Sequence, residues 1–260
     1  GDDNANLVFL NLIDKHSDQG RLGRTFDEVL NAVLTTYEDE QGVDDHIIPG
    51  LLNPNSVSHV WFDFHSECRK GRWDRLSYLL DDVRPCLDSH GYFCVIPDQK
   101  SLWEVLWLQN GVVRTNCMDC LDRTNVVQSM FGRYILFQQF SDRFGLKATT
   151  KRKLPLGYNV AFKRKMLTLP WLSGEVAHRL LWADNADSIS RLYAGTNALK
   201  GDFTRTGKRT KRGALDDGVN SLTRFYLNNF LDADRQEGMD LLTGYAKFDT
   251  VERPDKLQHK

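Results

Sequence analysis

The first half of the chain alternates between short apolar runs and amphipathic helical patterns, and this alternation limits the folds open to it. Leu7 to Ile13 reads LVFLNLI, which is typical of a strand buried on both faces. Val57 to Phe64 and Tyr92 to Ile96 are rich in β-branched and aromatic residues, and Gly111 to Arg114 is a shorter fourth candidate. Strands separated by helices predict a layered α/β fold, with a substantially parallel sheet and flanking helices.

Apolar residues at helical spacing fill the segments between these runs. A capping box at Thr25–Glu28 predicts that the first helix begins there. A second helix follows Trp73 and is predicted to stop at Pro85, because proline cannot continue the backbone hydrogen bonds. The helix after the fourth strand candidate has one apolar face, made by Val127, Met130, Tyr134 and Phe137. Three tryptophans are interpreted as core residues rather than membrane anchors: Trp103, Trp107 and Trp171.

The second half of the chain has a different character. Residues 171–184 and 219–231 are predicted to be helical. The stretch from Gly195 to Gly218 is polar, basic and rich in glycine, and we interpret it as an ordered loop or bent connector anchored by Leu199 and Phe203. Residues 246–260 have few apolar side chains and are expected to form a flexible polar tail.

Charge and cysteine content restrict the partners that can be expected. The net charge is -1, which gives no indication of a nucleic acid partner. Basic residues nevertheless cluster in 147–165 and 200–212, so the surface is expected to be electrically polarised. The five cysteines are an odd number, which argues against a disulfide framework and a disulfide-linked partner. No apolar run approaches the ~20 residues that span a bilayer.

The most informative segment is RTNCMDCLDRTN, residues 114–125, between a strand candidate and a helix candidate. Cys117 and Arg123 are separated by five residues, and Thr124 follows the arginine. The residues between them can form a loop whose N–H groups converge on a phosphate, at the positive end of the next helix. The planar guanidinium of Arg123 can bind two phosphate oxygens at once.

Such a loop would suit nucleophilic catalysis by Cys117. The positive surroundings are expected to lower the pKa of its thiol, so that a thiolate attacks phosphorus and forms a phosphocysteine that water hydrolyses. Thr124 could donate a hydrogen bond to the thiolate. The chemistry requires no metal and no other cofactor.

The leaving group needs a proton, and the sequence offers several donors. Asp119 is the first candidate, because a carboxyl near a phosphate dianion has its pKa raised. Asp122, Asp63 and His65 remain as alternatives. Cys117 and Cys120 could instead be a redox pair or half of a zinc site. A zinc site would need a second pair, and the other three cysteines are not arranged as one: Cys68, Cys86 and Cys94.

Several long stretches resemble the Sac (suppressor of actin) phosphoinositide phosphatases. Residues 114–125 are similar to the signature of that family. The resemblance extends from about residue 7 to about residue 245. It includes the stretches Trp61–Cys68, Arg72–Leu76, Trp182–Asn185, Tyr193–Thr196, Gly201–Thr210, Asn228–Phe230 and Arg235–Gln236. Of the branches of this family, the sequence most resembles the one whose members act at the endoplasmic reticulum and Golgi.

The resemblance implies a fold and a set of site residues. It implies a cysteine-phosphatase-like core in which residues 1–245 are the catalytic portion, with the family's amino-terminal subdomain absent. Cys117, Arg123 and Asp119 would be catalytic. The remaining loop residues would contact substrate: Met118, Cys120, Leu121, Asp122 and Thr124. Three basic residues could also contact an inositol phosphate: Arg205, Lys208 and Arg209.

The resemblance also implies a substrate and a place of action. The substrate would be phosphatidylinositol 4-phosphate in an anionic membrane leaflet, with the 3-phosphate and the 3,5-bisphosphate as further candidates. The site of action would be the cytoplasmic face of endoplasmic reticulum and Golgi membranes, with a protein that recruits the domain as a possible partner. Two alternatives remain: a catalytically weak lipid-binding scaffold, and a phosphatase of the protein-tyrosine type. The intact Cys117, Arg123 and Thr124 argue against the first, and the flanking basic charge argues against the second.

Overall fold

The computed structural model describes residues 6–39, 56–97, 103–143, 168–169, 171–206, 210–230 and 232–245. The chain divides into two compact units, Gly1–Trp182 and Ala183–Lys260. Within the described part of the second unit and the end of the first, all regular structure is helical. The sheet structure lies in the first unit and positions the candidate site.

A three-stranded parallel sheet forms the centre of the first unit. Strand β1 (Leu7–Asn11) lies between β2 (Val57–Trp61) and a later strand, β5 (Val112–Asn116). The strands are in register, because Asn11 lies opposite both Trp61 and Asn116 at their last residues. All three strands therefore end at the same edge of the sheet. In open α/β sheets, ligands bind at this carboxyl edge.

Helices cover both faces of this sheet, which confirms the layered α/β prediction. On one face, Phe9 of β1 packs edge-on against Phe26 of helix α1 (Ser17–Asp39) at 5.6 Å between ring centres. On the other face lies the buried core, contributed by β1, by helix α3 (Leu76–His90) and by helix α4 (Asp122–Arg143). Its fully buried members include Val8, Leu10, Leu12, Leu76, Leu79, Leu80, Val83 and Val127. Successive side chains of β1 therefore point to opposite faces of the sheet and pack against helices on both.

Helix α1 begins at Ser17, so the prediction that it starts at the Thr25 capping box was wrong. Two glycines explain the earlier start. Gly20 lies against the backbone carbonyl of Lys15 and Gly23 lies against the ring of Trp61, so a side chain at either position would collide. The close approach allows the first turns to pack against the end of β2, and this packing outweighs the weak helical propensity of glycine.

Helix α3 was also predicted incompletely. It continues through Pro85 to His90, so the expected stop at the proline was wrong. Beyond the proline, Cys86, Leu87 and His90 are buried. Burial of these side chains compensates for the backbone hydrogen bond that the proline cannot make. Short helical turns precede α3, at α2 (Phe64–Glu67), Arg69–Gly71 and Trp73–Arg75. The predicted apolar face of α4 is confirmed, since its four residues are all buried.

A separate hairpin follows α3. The third strand candidate forms β3 (Cys94–Ile96), which pairs antiparallel with β4 (Glu104–Trp107) and not with the parallel sheet. Strand β4 was not predicted from the sequence. Trp103 and Trp107 are 63% and 49% exposed, so their assignment to the core was wrong. Trp103 directly precedes β4 and Trp107 ends it, in a two-stranded hairpin. Within the described residues, no helix or second sheet buries them there.

Helices form the remainder of the described chain. They are α5 (Leu172–Ala194), α6 (Gly201–Thr206), α7 (Lys211–Phe230) and α8 (Asp232–Leu242). Both helices predicted here exist, and each is longer than expected. Trp171 lies beside Phe140 at 4.6 Å between ring centres and is half-buried.

The stretch from Gly195 to Gly218 contains helices in its described part, which the interpretation as an ordered loop or bent connector did not predict. Asp202 stabilises the start of helix α7, because its carboxylate accepts hydrogen bonds from the backbone N–H and the hydroxyl of Thr210. The Thr210 hydroxyl in turn accepts the N–H of Gly213 at 2.9 Å, which caps the start of α7. Phe203 is buried, as the anchoring role required.

Two sequence predictions lie outside the described residues. These are the basic cluster 147–165 and the polar tail 246–260. The other basic cluster is described only in part, because residues 207–209 are outside the described ranges. Among the helices that the structure describes, none is both long enough and apolar enough to cross a bilayer.

Candidate active site

The signature segment forms a loop at the sheet edge where all three strands end. Strand β5 ends at Asn116, the loop occupies residues 117–121, and α4 begins at Asp122. Cys120 has a positive φ of 52°, which lets the chain turn sharply. The carboxylate of Asp119 accepts the N–H of Leu121 at 3.1 Å and stabilises this turn. The predicted order of strand, loop and helix is therefore present.

Cys117 lies in the first position of the loop and is partly buried. The backbone N–H groups of Met118 and Cys120 donate to its sulfur, and the charge of Arg123 acts on it as well. These three groups lower the pKa of the thiol, but burial raises it by more, so the net pKa lies above its ordinary value. The expected lowering was wrong for this structure, because desolvation outweighs the positive surroundings.

Arg123 occupies the first turn of α4. Its terminal nitrogen Nη1 lies 3.5 Å from Oδ1 of Asp14, and the two side chains are 20% and 25% exposed. The charge of the arginine is thus shared between the thiol of Cys117 and a carboxylate. Asp14 follows strand β1, and sequence reasoning missed it as a site residue. Its signal was present, because a carboxylate just after a buried parallel strand belongs at the ligand-binding edge.

The four candidate proton donors differ in their surroundings. Asp63 is buried, and its two carboxylate oxygens accept the N–H groups of Ser66 and Lys15, both at 2.9 Å. It therefore caps α2 and joins the ends of β1 and β2. His65 is 74% exposed, and its Nδ1 lies 3.8 Å from Oδ2 of Asp14.

The two aspartates of the signature lie on the loop and on the helix. Asp119 is exposed on the loop, where it stabilises the turn. Asp122 is the first residue of α4 and is partly buried. Asp119 and His65 are therefore the two donors with open access to solvent, and Asp63 has a structural role.

The remaining loop residues have mixed exposure. Met118 and Cys120 are exposed, whereas Leu121 is buried. The hydroxyl of Thr124 is buried and has no hydrogen-bond partner within the described residues. A buried hydroxyl without a partner is costly, so this oxygen is suited to a role in the site. The prediction that it donates to the thiolate remains a prediction.

The predicted basic contacts lie in the second unit. Arg205 donates to Asp184 and Asp187 at 2.8 Å each, so its guanidinium is bound by two carboxylates of its own unit. These contacts fasten α6 to α5. Lys208 and Arg209 lie outside the described residues. A substrate contact by any of the three remains a prediction.

The alternatives based on Cys117 and Cys120 can be compared with the geometry. None of the five cysteines forms a disulfide in the structure. The sulfur of Cys120 donates to the carbonyl of Cys117 at 3.6 Å. No group of three or more metal-binding side chains occurs within the described residues.

Comparison with known proteins gives several relatives that are named as phosphoinositide phosphatases. No family model matches the chain. It is 43% identical over 240 residues to phosphatidylinositol-3-phosphatase SAC1 of Drosophila melanogaster, which covers 92% of this chain and 34% of that protein. It is 43% identical over 197 residues to the protein of the same name from Saccharomyces cerevisiae, covering 74% and 29%. It is 35% identical over 243 residues to phosphoinositide phosphatase SAC6 of Arabidopsis thaliana, covering 93% and 34%. The chain spans about one third of the length of these relatives.

Proposed function

Because the chain belongs to the Sac domain family, we propose that it is a phosphoinositide phosphatase that acts through Cys117. The observation that carries the proposal is the position of Cys117 in the loop and of Arg123 in the first turn of α4, at the carboxyl edge of the parallel sheet, with the charge of Arg123 acting on the thiol. The N-terminus of α4 adds the positive end of a helix dipole at the same place. This arrangement suits a phosphate dianion.

The proposed reaction has two steps. The sulfur of Cys117 attacks phosphorus while the bond to the inositol oxygen breaks, and the phosphoryl group passes to sulfur. The leaving oxygen takes a proton from a donor, for which Asp119 remains the first candidate and His65 the second. Water then attacks phosphorus and gives a proton to the side chain that protonated the leaving oxygen, and the P–S bond breaks to release inorganic phosphate and the thiolate of Cys117. Arg123 would bind two of the phosphate oxygens throughout, and Thr124 would stabilise the sulfur as it leaves.

The preferred phosphate position is the finer part of the proposal. The resemblance of the sequence favours phosphatidylinositol 4-phosphate. The two SAC1 relatives are named phosphatidylinositol-3-phosphatases, which favours the 3-phosphate. The 3,5-bisphosphate is a third substrate for the test. We propose that the substrate lies in an anionic leaflet, on the cytoplasmic face of endoplasmic reticulum and Golgi membranes, with a recruiting protein as a further partner.

Phosphate release from vesicles that contain one phosphoinositide each tests the proposal. We expect release from at least one monophosphate by the wild-type chain and none by Cys117→Ser. Cys94→Ser, which changes a cysteine of β3 outside the loop, is the matched control and should release phosphate at the wild-type rate. Release by Cys117→Ser at the wild-type rate would exclude the cysteine mechanism. Release from a tyrosine phosphopeptide but from no lipid would exclude the substrate class.

A scaffold function is the second candidate, and one observation favours it. Cys117 is partly buried, and burial of a thiol disfavours the thiolate form that attacks phosphorus. A chain that binds phosphoinositide vesicles without releasing phosphate from any of them would support the scaffold.

A further inference from the structure

We propose that Asp14 is a positioning residue, which holds the guanidinium of Arg123 in the orientation that binds phosphate. The proposal rests on the proposed function only in naming phosphate as the group that Arg123 binds. Asp14 lies outside the signature segment, on the turn after the central strand β1.

The backbone around Asp14 is fixed on both sides. The carbonyl of Ile13 accepts the indole N–H of Trp61 at 3.0 Å. The N–H of Lys15 donates to the carboxylate of Asp63 at 2.9 Å. Two hydrogen bonds to β2 and to the segment just after it therefore hold the turn that carries Asp14. A carboxylate on so constrained a turn can act as a fixed point for a longer side chain.

The carboxylate of Asp14 faces two cationic or basic groups from other elements. Its Oδ1 lies 3.5 Å from Nη1 of Arg123, and its Oδ2 lies 3.8 Å from Nδ1 of His65. The Oδ1 atom is buried and has no hydrogen-bond partner within the described residues. The contact with Arg123 is thus an ion pair longer than a hydrogen bond. At this length the attraction between the two charges is not tied to one hydrogen-bond geometry, and it favours orientations of Arg123 that keep Nη1 beside Asp14.

The geometry leaves most of the guanidinium for a ligand. Asp14 approaches one terminal nitrogen, and Arg123 has no hydrogen bond to another side chain within the described residues. The edge formed by Nε and Nη2 can therefore bind two oxygens of one phosphate. An arginine that is already oriented loses less rotamer freedom when phosphate binds, which favours binding.

The charge of Asp14 has the opposite effect, because a carboxylate repels a phosphate dianion. If repulsion were the larger effect, Asp14 would be a competing counter-ion, and its removal would strengthen binding. The surrounding positive groups decide between the two. Arg123 lies beside the carboxylate, and the N-terminus of α4 lies next to the loop. These groups offset the repulsion, so orientation is the larger effect.

The test measures the dissociation constant of inorganic phosphate in a Cys117→Ser background. In that background Asp14→Asn removes the charge at constant size, and we expect at least about tenfold weaker binding. Asp14→Glu keeps the charge, and its affinity for phosphate should lie between those of the Cys117→Ser parent and of Asp14→Asn. Asp27→Asn is the matched control, because Asp27 is a similarly exposed carboxylate that pairs with His59 of β2 at 3.0 Å. It should bind phosphate within about twofold of the parent. Folding is checked by the thermal midpoint.

A second arm separates positioning from a general effect on the fold. In an Arg123→Lys background the compact ammonium has no planar edge to orient. Asp14→Asn should then leave phosphate binding unchanged or make it tighter. Equal or tighter binding by Asp14→Asn with Arg123 intact would overturn the proposal, as would the same loss in both backgrounds. If Asp14→Asn fails to fold, Asp14→Glu decides the question. A phosphate affinity of Asp14→Glu as weak as that of Arg123→Lys would contradict positioning by charge.

Phosphate binding does not require turnover of a lipid. A chain that released no phosphate from any phosphoinositide would contradict the proposed function and leave this test valid. A chain that hydrolysed lipid normally, with Asp14→Asn binding phosphate as well as the parent, would contradict the role of Asp14 alone.

Discussion

Arg133 of helix α4 donates to both carboxylate oxygens of Glu175 in helix α5, at 3.1 and 3.3 Å, and both side chains are buried. The same carboxylate accepts the N–H of Leu169 at 2.9 Å and a bond from Arg179. Burial by itself would raise the pKa of Glu175, but Arg133, the Leu169 N–H and Arg179 together lower it below its ordinary value. Helix α4 also carries Arg123, so this ion pair anchors the helix that presents the residue proposed to bind phosphate.

We predict that Glu175→Ala lowers the free energy of unfolding by about 3–5 kcal/mol, because it removes one partner of a buried ion pair. Urea unfolding followed by circular dichroism measures the change. Asp18→Asn is the control, since the pair that Asp18 forms with Arg21 is exposed on both sides, and no measurable change is expected. A Glu175→Ala variant as stable as the wild type would show that this ion pair does not anchor α4.

Acid should destabilise the protein through His178, which is buried beside this ion pair. Its pKa is lowered from 6.5 to about 4, by burial first and then by Arg133 and Arg179, against the opposing effect of Glu175. Because the folded pKa lies below the unfolded one, stability is complete above about pH 6.5 and is lost as the pH falls toward 4. The loss amounts to about 3 kcal/mol at most. The lowered pKa of Glu175 has the same sign, but its loss begins at lower pH.

The measurement is the free energy of unfolding at pH 7 and in the range between the two pKa values of His178. We predict that His178→Gln removes most of the loss above pH 5, since a neutral amide takes up no proton. His65→Gln changes an exposed histidine and should retain the wild-type slope. An unchanged slope in His178→Gln would contradict the assignment.

Alkylation should show a high pKa for Cys117. In a Cys120→Ser background we predict that the pH at which Cys117 reacts at half its maximal rate lies above the value for the same chain in urea. Burial is the reason, since it outweighs the lowering by Arg123 and the two backbone N–H groups. Arg123→Met should raise this pH further. A half-maximal pH below that of the unfolded chain would mean that the loop activates the thiol without a ligand.

Asp63 should matter for the architecture of the site edge. Asp63→Ala removes the acceptor for the N–H groups of Ser66 and Lys15, and we expect a loss of about 1–3 kcal/mol in stability. Asp63→Asn keeps one oxygen acceptor and should lose less. If Asp63→Ala abolished turnover with no change in stability, Asp63 would be a catalytic acid and its structural assignment would be wrong.

The sequence predicted the parts of the fold that depend on local pattern. The apolar run of β1 and the apolar face of α4 were identified because strand and helix periodicities are visible in a single segment. The start of α1 and the passage of α3 through Pro85 were not, because both depend on packing against distant residues such as Trp61. Tertiary burial overrides local propensity at such positions.

The same distinction applies to the site. The spacing of Cys117 and Arg123 could be read from one segment, and the structure has both in one loop and the helix that follows it. Asp14 could not be identified in that way, since only the parallel pairing of β1 with β5 places its turn beside the loop. The pKa of Cys117 was predicted with the wrong sign, because the sequence reveals the charges near the thiol but not the extent of its burial.

The most direct test of the central claim is to trap the covalent intermediate on Cys117. The wild-type chain is mixed with vesicles containing phosphatidylinositol 4-phosphate or 3-phosphate, quenched within the first turnover and digested for mass spectrometry. The account predicts a phosphoryl group on the peptide that carries Cys117, and none on the same peptide from Cys117→Ser. Turnover of either lipid with no phosphoryl group on Cys117 at any quench time, together with undiminished turnover by Cys117→Ser, would contradict it.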